Sequence, residues 1–235
     1  MCEDPRVKNN IPSVTDRIGI YFHCMKPTIP SVFGFYAILT DPLRGYEYLT
    51  KLLVEHHVAF VQLRMKDVAL EAIETVARAM REITAGTSTR LIINDHPALA
   101  QRVGADGVHL GQSDMPYEKA RDILGPNAVI GISTHTLLQT EKACGLSPDY
   151  IGVGPVFPTS TKKNPDPVIG ISTMKEMLSR STVPSVAIGG ISLKRLPEVL
   201  AAGARNFCMV RPLNQASNPE KVLKEIVTVY EGFKG

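Results

Sequence analysis

VGADGVHL, residues 103–110, ends a helix-period run on a glycine and passes at once into an apolar strand. AGARNFCM, residues 202–209, makes the same passage later in the chain. Glycine enters the left-handed conformation that other residues resist, so each stretch reads as helix, sharp stop, buried strand. A unit that recurs within one chain marks a repeating architecture. Outward from these two stretches, short apolar or β-branched runs recur at 35–40, 59–63, 90–94, 106–111, 128–133, 149–154, 184–190 and 205–210. Helix-period segments at 44–57, 68–84, 96–103, 116–124, 136–144, 171–180, 192–202 and 218–232 alternate with them. Leu49, Leu52 and Leu53 form one face of the first, and Val222, Ile226 and Val229 one face of the last. Eight strands, each followed by a helix, is the count of an α/β fold of the (β/α)8 TIM-barrel type. The competitor is an open doubly wound sheet, but no strand is followed by a dinucleotide GxGxxG or a Walker loop. The expected organisation is one barrel domain over residues 34–235. Residues 1–33, which mix proline, asparagine and charge around Ile18–Phe22, form an N-terminal extension.

Composition fits an ordinary globular protein: 235 residues, 44% hydrophobic, 21% charged. The net charge of +3 is spread without a basic tract, which argues against a nucleic-acid partner. Cys2, Cys24, Cys144 and Cys208 have no CxxC spacing and read as plain thiols in a reducing compartment. No apolar run approaches a membrane span, and MCEDPRVKNN is too polar for a signal peptide. A cytoplasmic location without membrane association is the expectation.

In a barrel of this type the chemistry gathers at the C-terminal ends of the strands. GPVFPTSTKK, residues 154–163, leaves the sixth strand and offers Thr159, Thr161 and Lys162, groups suited to phosphate. Gln62, Arg64 and Lys66 follow one another at alternate positions on the second strand, so all three are expected to face the mouth, where two cations call for an anion. Asn94 and Asp95 end the third strand, and His109, Gln112 and Asp114 follow the fourth. Asp95 and Asp114 can converge on Mg²⁺, which takes one or two carboxylates with phosphate oxygens, or each can cap the helix it precedes. Ser133 can donate to a ligand or cap the next helix. Gly189-Gly190 suits either a backbone anion grip or a tight turn. His109 and His135 invite acid–base roles, although a lone histidine at a strand end is more often structural. Asp41 reads as a turn or cap residue.

Taken together, QLRMK (62–66), INDHPALAQRVGADGVHLGQSDMP (93–116), GISTH (131–135), GPVFPTSTKK and VAIGGI (186–191) resemble thiamine phosphate synthases, in the same order, from about Phe35 to the C-terminus. The resemblance implies a barrel that joins hydroxymethylpyrimidine diphosphate to hydroxyethylthiazole phosphate and releases pyrophosphate, with Mg²⁺. It implies that Gln62, Arg64, Lys66, Asn94, Ser133 and Lys162 hold the pyrimidine diphosphate. Among these, Arg64, Lys66, Ser133 and Lys162 serve catalysis. Asp95 and Asp114 match the metal ligands. Thr159, Thr161, Gly190, Val210 and Arg211 match the thiazole phosphate contacts. The implied partners are these small molecules, and homo-oligomerisation is left open.

Two departures from the family pattern stand out. Met65 replaces an acidic residue, at a position expected to point away from the mouth. Arg211 replaces a serine beside the thiazole phosphate, and Pro212 after it removes a backbone donor. Two rival readings remain, a thiazole tautomerase using a histidine such as His135, and a catalytically weak phosphate-binding regulator. The complete set of cationic and acidic residues argues for the synthase. The proline-rich residues 164–167 suit a lid.

Overall fold

The computed structural model describes residues 29–161 and 166–233. Eight parallel strands close into a barrel in chain order: β1 (Gly34–Leu39), β2 (Phe60–Leu63), β3 (Arg90–Asn94), β4 (Gly107–Leu110), β5 (Val129–Thr134), β6 (Tyr150–Val153), β7 (Ser185–Ala187) and β8 (Asn206–Cys208). Closure is made where β1 lies on β8, pairing Gly34 with Asn206, Phe35 with Phe207 and Tyr36 with Cys208. An open sheet is thereby excluded. Around the barrel run α1 (Tyr46–Glu55), α2 (Leu70–Thr84), α3 (Pro97–Val103), α4 (Tyr117–Leu124), α5 (Leu137–Leu146), α6 (Gly170–Arg180), α7 (Leu196–Ala201), α8 (Val210–Asn214) and α9 (Pro219–Glu231).

Every expected strand is present, and α8 is the element the sequence reading lacked. Residues 205–210 were read as strand, whereas β8 stops at Cys208 and the chain turns into a five-residue helix. Pro212 stands in the first turn of α8, where an N–H has no helical partner to lose. It therefore removes no helix hydrogen bond. The two stretches that revealed the fold behave as read: Gly104 (φ 67°) and Gly203 (φ 100°) stop α3 and α7 before β4 and β8.

Period-two alternation divides the apolar residues between two cores. Outward-facing strand residues such as Leu39, Val61, Ile93 and Phe207 pack under the helices. The barrel interior is filled by Tyr36, Phe60, Ile92, Val129, Tyr150 and Val186. Phe33 closes its lower end, edge-on to Phe60 at 4.8 Å between ring centroids. Residues 29–33 thus dock on the barrel; the rest of the expected extension, residues 1–28, lies outside the described residues.

The lower rim, at the N-terminal ends of the strands, is stitched by three side chains. Asp106 accepts from Leu91 N (2.8 Å) and pairs with Arg81 (3.1 Å). Asp149 repeats the device, accepting from Ile130 N (2.8 Å) and pairing with Arg121 (2.9 Å). Asn206 accepts from Phe33 N and Gly34 N and donates to Ser31 O and Ser185 O, tying the entry of β1 to β7 and β8. The Asp149–Arg121 pair is the more deeply buried, at 4% and 17% side-chain exposure against 30% and 33% for Asp106–Arg81. Removing one partner of a buried pair strands the other charge, so Asp149→Ala is expected to lower stability by about 3 kcal/mol. Asp106→Ala is expected to cost about 1 kcal/mol. Urea unfolding with an unchanged m-value checks this, and equal losses in the two variants would contradict it.

Candidate active site

At the C-terminal ends of the strands the barrel opens into a cavity of about 1410 Å³. Its walls carry polar residues delivered by strand ends and by the loops just beyond them.

One side is charged. Arg64 follows β2, its backbone N–H held by Leu39 O at 2.9 Å. Burial pushes its guanidinium below its ordinary value, against the pull of Asp95 and Asp67. Lys66, more exposed, forms an ion pair with Asp95. Asp95 adopts φ 66°, a conformation that costs a non-glycine residue strain of order 1 kcal/mol, and its N–H donates to His109 O at 2.9 Å. Burial raises the Asp95 carboxyl above the ordinary 3.8, and the neighbouring Asp114 carboxyl, within hydrogen-bonding reach, raises it further. Burial also acts to raise Asp114, but the hydrogen bonds from Asp95 and Gly111 N–H, with Lys66 and His109 nearby, outweigh it and hold Asp114 low. The two carboxyls are thus pushed in opposite directions, Asp95 up and Asp114 down. Gly111 leaves room for this carboxylate: a Cβ would come within 2.8 Å of Asp114 Oδ2, whose bond to Gly111 N is 2.7 Å.

The alternative of plain helix caps is set aside for both acids. The N-cap positions of α3 and α4 are His96 and Pro116, and neither helix has a side-chain cap. Ser133 is not a cap either; Thr136 caps α5 by accepting from Gln139 N at 3.1 Å. Ser133 Oγ instead lies 2.8 Å from His109 Nε2 at the cavity wall, close to Asn94, which β3–β4 pairing sets opposite His109. Gln62 departs from expectation. It points inward but is only 2% exposed, with Nε2 donating to Tyr36 Oη at 3.0 Å, so it lies beneath the cavity. Met65 packs on the outer core, as alternation predicts, and touches the cavity rim.

The other side is built from loops. Thr161 N donates to Thr159 Oγ1 (3.3 Å), placing both hydroxyls at the cavity. Lys162 and residues 163–165 lie outside the described residues. The loop after β7 rests directly on the loop after β6: a Cβ on Gly189 would lie 2.5 Å from Pro155 Cα, and one on Gly190 2.5 Å from Pro158 O. Both glycines also have positive φ, 99° and 62°. The double glycine is therefore a turn and a close backbone approach at once. Arg195 braces the contact by donating to Gly190 O (3.0 Å) and lying 4.5 Å over the Phe157 ring. Arg211, in the first turn of α8, is exposed and reaches to Ser160 Oγ at 2.6 Å, so its guanidinium lies over the β6 loop rather than filling the cavity. His135 Nδ1 meets Gly154 O, and its Nε2 lies 3.4 Å from Asp166 Oδ2. These bonds give it a structural part in holding the β6 loop. Asp41 is a turn residue, φ 51°, with its N–H on Tyr46 Oη. Cys208 lies at the base of the cavity, and burial pushes its thiol well above the ordinary range, consistent with an inert thiol. Among the described residues no helix is long and apolar enough to cross a membrane.

Sequence reasoning missed Tyr36, Tyr150, Arg195 and Asp166. Glycines inside strands were the available signal for the tyrosines, because a Cβ on Gly131 would lie 2.1 Å from the Tyr150 ring.

Comparison with known proteins gives concordant results. Residues 36–213 match the family model described as thiamine monophosphate synthase. The chain is 39% identical over 204 residues to a thiamine-phosphate synthase of Caldicellulosiruptor bescii, covering 87% of this chain and 93% of that one. It is 40% identical over 177 residues to that of Dictyoglomus thermophilum, covering 75% and 79%. Among solved structures, a thiamine phosphate pyrophosphorylase from Pyrococcus furiosus superposes with TM-score 0.78 at 28% identity, covering 86% of this chain and 98% of that one.

The raised Asp95 carboxyl has a stability consequence. A carboxyl whose folded value exceeds its unfolded value favours the fold below 3.8, and that contribution is lost as pH rises through the folded value. Asp95→Asn keeps this position neutral and tolerates positive φ. The variant is therefore expected to melt above the parent at neutral pH and to lose the advantage towards pH 3.8. A parallel pH dependence of the two melting curves would contradict the raised Asp95 carboxyl.

Proposed function

The chain belongs to the thiamine monophosphate synthase family, it acts as a thiamine-phosphate synthase, and we propose that the charged half of its mouth holds the pyrimidine diphosphate while the loop half holds the thiazole phosphate. The observation that carries this division is the placement of Arg64, Lys66, Asp95, Asp114 and Ser133 on one wall, opposite Thr159, Thr161, Gly190 and Arg211. The carboxylate pair fits Mg²⁺: two neighbouring acids at the cavity wall offer the one or two oxygen donors this ion takes beside phosphate. Mg²⁺ bound there would neutralise charge on the diphosphate and its leaving group.

The residues themselves do the rest. Arg64, Lys66 and Lys162 balance the negative charge that grows on the departing pyrophosphate as the bond between the pyrimidine methylene and oxygen breaks. Lys66 exchanges Asp95 for the diphosphate as its partner. Asn94 and Ser133 orient the diphosphate from below, and Gln62 supports them from the layer beneath. The amino-substituted pyrimidine stabilises a cationic methylene, so no protein nucleophile is required. The thiazole nitrogen then forms its bond to that carbon. Thr159, Thr161, the backbone at Gly190 and Val210, and Arg211 anchor the thiazole phosphate so that the nitrogen faces the carbon, a contribution of alignment. The free thiols of Cys144 and Cys208 fit an enzyme of the cytoplasm.

The test is direct. Purified protein with both substrates and Mg²⁺ is expected to yield thiamine phosphate and pyrophosphate in equal amounts, and a folded protein yielding neither would refute the assignment. Lys162→Ala is expected to lower turnover by at least about a hundredfold. Asp95→Ala should remove most activity together with the Mg²⁺ dependence. Arg211→Ser should change KM for the thiazole phosphate and leave KM for the diphosphate unaltered; equal changes in both would show Arg211 to be misplaced.

A further inference from the structure

Five polar side chains form an unbroken hydrogen-bonded chain through the barrel interior. Gln62 Nε2 lies 3.0 Å from Tyr36 Oη, and Tyr36 Oη lies 2.7 Å from Tyr150 Oη. Tyr150 Oη lies 3.0 Å from His109 Nδ1, and His109 Nε2 lies 2.8 Å from Ser133 Oγ. The chain crosses β2, β1, β6, β4 and β5, and only its last two members reach the cavity. The sequence makes room for it with a glycine inside β5. A Cβ on Gly131 would overlap the Tyr150 ring, lying 2.1 Å from it.

The chemistry of the members gives the chain a direction. An amide nitrogen only donates, so Tyr36 Oη accepts from Gln62 and spends its single proton on Tyr150. Tyr150 then donates to His109 Nδ1, which leaves the neutral imidazole proton on Nε2. That N–H donates to Ser133 Oγ, and the Ser133 proton is left free to point into the cavity. Burial raises both tyrosine hydroxyls far above their ordinary range, so each keeps the one proton the scheme needs. Run in reverse, the chain would consume the Ser133 proton on His109 and turn a lone pair towards an anionic substrate.

We propose that Gln62, Tyr36, Tyr150 and His109 are positioning residues, a polarised relay that fixes Ser133 as a hydroxyl donor to a diphosphate oxygen. The proposal rests on the reading of Ser133 as a diphosphate contact. It gives the two buried tyrosines a part in catalysis, although neither lines the cavity.

The experiment combines kinetics with nitrogen-15 NMR of histidine-labelled protein, His109 being identified by the signal missing from His109→Asn. The free enzyme is expected to carry the His109 proton on Nε2, with Nδ1 unprotonated. Ser133→Ala should lower kcat/KM for the diphosphate by about a hundredfold. Tyr150→Phe should lower it about tenfold, with KM for the thiazole phosphate unchanged. The double variant should be no worse than Ser133→Ala alone, because both changes act through one hydroxyl. Tyr36→Phe gives the same reading if Tyr150→Phe fails to fold. A His109 proton on Nδ1, or additive losses in the double variant, overturns the relay. An unaffected Ser133→Ala overturns the Ser133 assignment and the proposal with it, whereas a damaged Ser133→Ala beside an unaffected, folded Tyr150→Phe overturns the relay alone.

Discussion

The pairing of β1 with β8 is the constraint from which the rest of the molecule follows. Until Gly34–Tyr36 meets Asn206–Cys208 there is a sheet with two unpaired edges and no interior. Closure turns the strand alternation into an inside and an outside, and it gathers eight strand ends around one opening. The inside is then graded along its length. Phe33, Phe60, Tyr36 and Tyr150 fill the lower layers with aromatic rings, and the layer above them is polar. No single strand carries the site; each contributes one or two side chains, and the closed hydrogen-bond ladder fixes their spacing.

Charge is distributed around that opening by the same logic. Two acids are pressed together on the β3–β4 side, where the backbone at Asp95 is strained and burial raises its carboxyl. A half-buried guanidinium sits beside them, held below its usual value by desolvation. Without ligands each group is in an unfavourable state: a carboxylate pressed against a second acid, a cation short of solvent. On the proposed reading, a diphosphate with a divalent cation would relieve both at once. Affinity in such a site comes partly from the discomfort of the free protein, which is the sense in which the mouth is preorganised.

Much of this was legible in the sequence, and the failures have physical causes. Strand and helix placement followed from periodicity and from glycines at helix ends. Helix α8 escaped because VRPLN is short, contains a proline, and continues an apolar run that reads as strand. The strand-end residues Arg64, Lys66, Asn94, Asp95, Asp114 and Ser133 were readable because alternation and the barrel rule place them at one end. Whether Asp95 and Asp114 capped helices was not readable, since an aspartate before a proline-led helix start gives the same signal in either case. Tyr36 and Tyr150 gave no polar signal, because an aromatic residue in a strand is usually core. Their hydroxyl contact joins positions 114 residues apart and exists only once the barrel has closed.

The meeting of Gly34 with Tyr230 has a wider consequence. A Cβ at Gly34 would lie 2.7 Å from the Tyr230 ring, and Tyr230 Oη donates to Arg205 O, so the last helix leaves the barrel where the first strand enters it. That junction is on the face opposite the cavity. The barrel is therefore topologically close to a ring, with its seam turned away from the chemistry. Circular permutation through this seam, or fusion of another domain to it, would leave the geometry of the mouth untouched.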